Sequence, residues 1–295
     1  MTLSGGSFLF IKKDMSFIFD YNTKFYSNKN AYWLARASRL VYTRVEENNP
    51  APDTEVITKT LQTWDKDFTE VTTFDHKSTQ AFIAKHKGFV LIAFRGTDEI
   101  IDWRDNLNPL AREGIHVGFH NAFLDVWEKR GRIDRKDKMV ELLSREDYRN
   151  LPIWVTGHSL GGALASICSY TLIKKGMPFY GLYTFGEPPS FRGRAAERFD
   201  EAVNYKYFRF QNQNDIVSKI PQPLVNYCHA GTQVYIDAKD NVIIEPSAWF
   251  KLWDSVKGFF EFVFSLGKGG VARDHGISEY IAILKKGLCS DPDWL

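Results

Sequence analysis

Apolar and polar positions along the chain alternate between helix-like and strand-like spacing. Between residues 30 and 42, Trp33, Leu34, Ala37, Leu40 and Val41 recur every three or four positions, which predicts a helix packed on a sheet. Residues 48–53 form a loop, and Asp53 stands where it can cap a helix running to about Trp64. From residue 71 to 94 the pattern changes to strands. Residues 81–84 and 89–94 flank Lys85-His86-Lys87-Gly88, which reads as the turn of a hairpin. The second of these strands is apolar on both faces, as expected at the centre of a covered sheet. A helix containing Ala122, Phe123, Val126 and Trp127 follows. Residues 151–155 are a further apolar run and lead through a glycine-rich junction into an alanine-rich helix ending near Lys175. Strands at 182–185 and 205–210 come next, then a hairpin pairing 234–236 with 242–244, and a last helix over 277–286. This succession predicts a mostly parallel central sheet covered by helices on both faces, an α/β class fold.

Residues 249–266 depart from that rhythm. On a helical wheel Trp249, Trp253, Val256, Phe260, Val263 and Phe264 fall together, and Lys251, Asp254, Ser255, Gly258, Glu261 and Ser265 fall opposite. The apolar sector covers about half the wheel, wider than on a typical surface helix. Gly267-Lys268-Gly269-Gly270 follows as a flexible joint. We read one domain over 30–295 with an aromatic helical insertion at about 247–270, preceded by an extension over 1–29. The insertion is either an interface element anchored by Trp249, Trp253 and Phe260 or a helix packed on the body or on a second subunit.

The chemistry lies at the glycine-rich junction, Gly157-His158-Ser159-Leu160-Gly161-Gly162. A serine between glycines where a strand turns into a helix matches the nucleophile elbow. Gly157 and Gly161 suit a turn too sharp for side chains there, and the N–H of Leu160 at the helix start can face a developing oxyanion. Such a serine needs a base and an acid. Asp215 follows a strand end and His275 precedes the last helix, so Ser159, Asp215 and His275 occur in α/β-hydrolase order. His229 is a rival base, and Asp237 and Asp240 are rival acids that read better as hairpin-turn residues. Thr97 follows a strand in Arg95-Gly96-Thr97 and can supply a second oxyanion donor. Ile100, Trp103 and Leu107 share one face of a short segment that reads as a cover over the site or as a surface helix.

Composition narrows the rest. A net charge of +2 with basic and acidic residues interspersed leaves no nucleic-acid patch. Three cysteines without metal-ligand spacing argue against a zinc site or a disulfide framework, leaving one open pairing, Cys228 with Cys289. No apolar run is long enough to span a membrane, and the N-terminus lacks the order of a signal peptide. We therefore expect a cytoplasmic protein or one exported by a non-standard route, with no metal or cofactor.

Taken together, Phe94-Arg95-Gly96-Thr97, His116-Val117-Gly118-Phe119, the Thr156–Ala165 stretch, Thr184-Phe185-Gly186-Glu187-Pro188, Asn214-Asp215-Ile216-Val217 and Asp274-His275 resemble the class 3, fungal-type triacylglycerol lipases of the α/β-hydrolase fold. The resemblance runs from about residue 30 to 284. It implies that Ser159, Asp215 and His275 form a catalytic triad, that Thr97 and Leu160 form the oxyanion hole, and that the helix bearing Trp103 is a lid. It implies a lipid or ester substrate and contact with a lipid interface. Phospholipase, feruloyl esterase, short-chain esterase and a non-catalytic lipase-like module are the alternatives.

Overall fold

The computed structural model describes residues 16–46, 49–96, 110–128, 138–213, 215, 227–245 and 276–289. The described elements are numbered in chain order. Helix α1 (Asn28–Leu40) begins two residues earlier than its apolar spacing indicates, because Ser27 caps it through the Asn30 N–H. Helix α2 (Thr54–Trp64) starts at the expected cap, with Asp53 accepting from the Val56 N–H at 3.0 Å. Strands β1 (Phe68–His76), β2 (Thr79–His86) and β3 (Val90–Phe94) follow. Strand β2 therefore runs through two residues assigned from sequence to the turn. Lys85 pairs with Val90 in the ladder, and the His86 ring packs on Phe89 with centroids 4.5 Å apart. The Lys85 ammonium meets Asp147 at 2.5 Å, so a charged side chain is held at a strand position.

Next come the two-residue strands β4 (Ala111–Arg112) and β5 (Ile115–His116), then helices α3 (Val117–Trp127) and α4 (Met139–Leu143). Strand β6 (Ile153–His158) leads into α5 (Leu160–Lys174), then β7 (Phe179–Phe185), β8 (Phe191–Arg192) and α6 (Gly193–Val203). The chain continues through β9 (Tyr207–Asn212), β10 (Tyr227–Cys228), β11 (Thr232–Ile236), β12 (Val242–Ile244) and α7 (Ile277–Cys289).

Eight strands form one sheet in the order β1-β2-β3-β6-β7-β9-β11-β12. The central pairings β3–β6, β6–β7, β7–β9 and β9–β11 are parallel, and antiparallel hairpins close both edges. A second, antiparallel sheet, β10-β8-β5-β4, is built from the short strands. Side chains alternate between two cores, as the period of a strand requires. Ile92, Phe94, Ile153, Val155 and Leu182 join the face that packs α3, α5 and α6. Leu91, Ala93, Trp154, Tyr183 and Phe210 join the face that packs α1 and α7. Within the segment before α1, Phe19 stands edge-on to Trp154 with centroids 5.1 Å apart, and Phe17 stands edge-on to Trp33 at 4.9 Å. Such aromatic pairs add about 1 kcal/mol each beyond their area.

Cys168 is buried, while Cys228 and Cys289 are exposed and are not joined in a disulfide, so the pairing left open by the sequence is not made. Among the described residues no helix is long and apolar enough to cross a membrane.

Candidate active site

The five parallel strands, β3, β6, β7, β9 and β11, end at one edge of the sheet, where open α/β sheets place their ligands. Ser159 lies there, between β6 and α5, with φ 56° and ψ −130°. An L-residue at positive φ is strained by roughly 1–3 kcal/mol, and the surroundings must over-determine it. They do so through backbone alone. The Ser159 N–H donates to the Phe185 carbonyl at 2.9 Å, and its carbonyl accepts from the Gly162 N–H at 2.8 Å. The flanking glycines are required by close approach. A Cβ on Gly157 would lie 2.1 Å from the Gly161 carbonyl oxygen, and one on Gly161 would lie 2.3 Å from that of Phe94. The helix thus starts directly against the ends of β3 and β6. As its first residue, Leu160 has no acceptor within the helix for its N–H.

The end of β3 is bolted to the elbow. A Cβ on Gly96 would lie 3.0 Å from the Ser159 Cβ. The Tyr42 hydroxyl accepts from the Gly96 N–H at 3.0 Å and bonds His158 Nδ1 at 3.1 Å. Burial pushes the Tyr42 phenol up to about 12, against the lowering effects of the Gly96 N–H and the Arg95 charge, so it stays protonated. Having accepted from the amide, the hydroxyl keeps its proton available for a hydrogen bond with His158 Nδ1. Thr97, the next residue, lies outside the described residues, as do Ile100, Trp103 and Leu107.

Asp215 is fully buried three residues past the end of β9, two strands away from β6. At strand spacing that is roughly 10 Å laterally from Ser159. The Tyr280 hydroxyl on α7 donates to Asp215 Oδ2 at 2.9 Å and accepts from the Asn212 N–H at 3.0 Å. One tyrosine therefore joins the end of β9, the carboxylate and α7. His275 lies outside the described residues, five positions before Tyr280 in sequence. The rival base His229 is excluded by register. It precedes Thr232, which pairs with Phe208 at the start of β9, whereas Asp215 follows the end of that strand. The two sit roughly 15–20 Å apart along the strand direction. Asp237 accepts from the Lys239 and Asn241 N–H groups, and Asp240 pairs with Lys286, so both rival acids are turn residues. Trp249, Trp253 and Phe260 lie outside the described residues.

Sequence reasoning missed Tyr42 and Tyr280. Both sit at core positions of amphipathic segments. Their only signal is that a buried tyrosine hydroxyl needs a partner.

Beneath the elbow helix a second carboxyl is buried. Glu187 accepts from Thr184 Oγ1 at 2.6 Å and from the Tyr207 hydroxyl. Burial pushes it up to about 7, opposed by the hydrogen bonds from Thr184 and Tyr207, the Arg209 charge and Ser166. The folded state thus holds this proton more tightly than the unfolded chain. The resulting stability is complete below the ordinary carboxyl range and is lost as pH rises toward 7. Glu187→Gln, which keeps the neutral shape, is expected to gain on the wild type by on the order of 3 kcal/mol between pH 4.5 and 7.5. Urea unfolding at both pH values measures this, and a constant offset between the two proteins would refute it.

Asp65, Asp67 and His86 place ligand-type atoms within 4.8 Å of one another. Lys87 already pairs with Asp67 at 2.6 Å, and His86 Nδ1 accepts from the Gly88 N–H. Nε2 then carries the proton toward Asp65, so the group is an ion-paired turn and not a metal cage.

Residues 91–225 match the family model Lipase (class 3). Phospholipase A1-Igamma2, chloroplastic, of Arabidopsis thaliana is 28% identical over 264 residues, covering 70% of this chain and 49% of that protein. The chain spans about half the length of the curated relatives it matches. Lipase II from Rhizopus niveus superposes with a TM-score of 0.58 at 22% identity, over 73% of this chain and 83% of that one. A triacylglycerol lipase described as having a serine protease triad at its catalytic centre gives 0.56 at 23%, over 72% and 81%. With its elbow between β6 and α5, the chain has the α/β-hydrolase fold, and over residues 91–225 its sequence is similar to the class 3 lipases.

Proposed function

We propose that the chain is a serine hydrolase of carboxylic esters, acting on acylglycerols through an acyl-enzyme. Ser159, held at positive φ at the strand-to-helix junction beside the helix-start N–H of Leu160, carries this reading. Ser159 Oγ attacks the ester carbonyl while His275 takes its proton. The N–H groups of Leu160 and Thr97 hold the oxyanion, each donor contributing about 10²–10³ in rate. Collapse expels the alcohol, protonated by His275, and water then releases the acid by the reverse sequence. Asp215 fixes the His275 tautomer and stabilises the imidazolium.

The chemistry asks for nothing beyond these side chains, and no metal or cofactor is assigned a role. Phospholipase activity is the second reading, favoured by the phospholipase A1 relatives. Hydrolysis of p-nitrophenyl esters of graded chain length, triolein emulsion and phosphatidylcholine vesicles separates the readings. A protein inert on all of them and unlabelled by a fluorophosphonate would instead be a non-catalytic lipase-like module.

We assign lipid contact to two stretches outside the described residues. One is the segment bearing Ile100, Trp103 and Leu107, as a lid, and the other is 249–266, bearing Trp249, Trp253 and Phe260, as an interfacial helix. Each CH₂ moved from water into lipid contributes about 0.8 kcal/mol, so a wide aromatic face binds an aggregate strongly. The double variant Trp253→Ser/Phe260→Ser is expected to lose activity on triolein emulsion while keeping its rate on a soluble butyrate ester and its melting temperature. A large fall in melting temperature would assign the segment to the core.

A further inference from the structure

Helices α1, α2 and α7 enclose an open groove of about 570 Å³ on the sheet face that they cover. Arg36, Arg39 and Lys285 line it, and no carboxylate does among the described residues. Arg36 and Arg39 are three apart on α1 and so share a side of that helix. The Arg36 guanidinium lies over the Trp64 and Trp33 rings, 4.6 and 4.8 Å from their centres. Stacking fixes its position without neutralising it. Arg39 bonds the Ser278 hydroxyl at the start of α7, again a neutral partner. Among the described residues, none of the three has a carboxylate partner. The contrast with the neighbouring surface is sharp, because Lys286 pairs with Asp240, Lys59 with Glu55 and Lys87 with Asp67. Three cations facing one concave space, with no carboxylate partner among the described residues, create a positive potential that attracts an anion.

The walls describe the rest of the ligand. Leu40, Ile281 and the Trp64 ring provide apolar surface beside the charges, and the space has the size of a small-molecule site. Ser159, Leu160 and Asp215 are not among the lining residues, but Tyr42, which braces the elbow through Gly96 and His158, is, so the groove adjoins the serine without containing it, and its charge does not rest on the proposed hydrolysis.

The geometry points to a binding site for a phosphate monoester carried by an amphiphile. A doubly charged tetrahedral group offers oxygen acceptors to two guanidiniums and an ammonium at once. A single carboxylate would leave most of that charge unmatched. The Leu40, Ile281 and Trp64 walls accept the first methylenes beyond the phosphate.

Calorimetric titration of the full chain with 1,2-di-O-octylglycerol 3-phosphate tests this, since its ethers cannot be hydrolysed. Inorganic phosphate and the corresponding ether phosphocholine serve as the other arms. Saturable binding of the ether phosphate is expected, with phosphocholine at least tenfold weaker. Inorganic phosphate binding much more weakly identifies a lipid as the source, and equal binding identifies free phosphate. The exposed cations are tested by Arg39→Gln/Lys285→Gln, which should weaken binding by about 100-fold, tenfold per charge, with an unchanged circular dichroism spectrum. No saturable binding to either phosphate, equal affinity for phosphocholine, or wild-type affinity in the double variant would overturn the assignment.

Discussion

Replacing Ser159 with alanine is expected to lower kcat on a soluble p-nitrophenyl ester by about 10⁵–10⁶-fold, as loss of a triad nucleophile does. The fold should survive. The side chain makes no helix-capping bond, and the contacts that hold the residue at φ 56° run through its N–H and carbonyl, both kept by alanine. The melting temperature is therefore expected to move by only a few degrees. His275→Ala should be comparably severe, while His229→Ala should stay within about twofold, because His229 lies at the far end of β9 from Asp215. Fluorophosphonate labelling gives a second readout: one label per wild-type chain and none on the Ser159 variant. Turnover retained within tenfold in that variant would remove Ser159 from the mechanism.

What the sequence made legible is unevenly distributed, for physical reasons. The elbow was readable because two close backbone approaches, at Gly157 and Gly161, admit no side chain, and glycine is the only residue without one. The central strands were readable because they are buried on both faces and so appear as unbroken apolar runs. Helix α6 went unread, although Ala195, Ala196, Phe199 and Val203 form its buried stripe. That stripe is narrow and sits among charged residues, so local composition resembles a solvated loop. Strands β4, β5, β8 and β10 have two residues each, too few for any period to show. The hairpin turn was placed early because Lys85 and His86 are polar, and only tertiary partners, Asp147 and Phe89, keep them in the strand. Tyr42 and Tyr280 were invisible as site residues for the opposite reason. Their rings satisfy the apolar pattern so well that nothing in the sequence advertises their hydroxyls.

The second large effect concerns Asp215. Asp215→Asn is expected to lower kcat by about 10⁴-fold, because an amide in this place no longer stabilises the imidazolium and favours the wrong histidine tautomer. The geometry makes the substitution unforgiving. Tyr280 already donates to Oδ2, which leaves the other carboxylate oxygen for the base. In the variant, the tyrosine bond selects the amide rotamer whose oxygen faces Tyr280, and the remaining NH₂ can only donate where an acceptor is needed. Removing the tyrosine hydroxyl separates the two contributions. Tyr280→Phe deletes both hydrogen bonds of the hydroxyl, the one donated to Asp215 and the one accepted from the Asn212 N–H at 3.0 Å. Loss of these buried bonds should cost about 1–3 kcal/mol of stability. If Tyr280 positions the acid, kcat should also fall by roughly 10–100-fold with KM unchanged, by analogy with the loss of outer-shell partners at metal sites. Asp237→Asn and Asp240→Asn, at a surface hairpin turn, should leave kcat within about twofold. A Tyr280→Phe protein that is less stable yet turns over at the wild-type rate below its melting temperature would reduce the tyrosine to packing. An Asp215→Asn protein within tenfold of wild type would require a different acid behind the base.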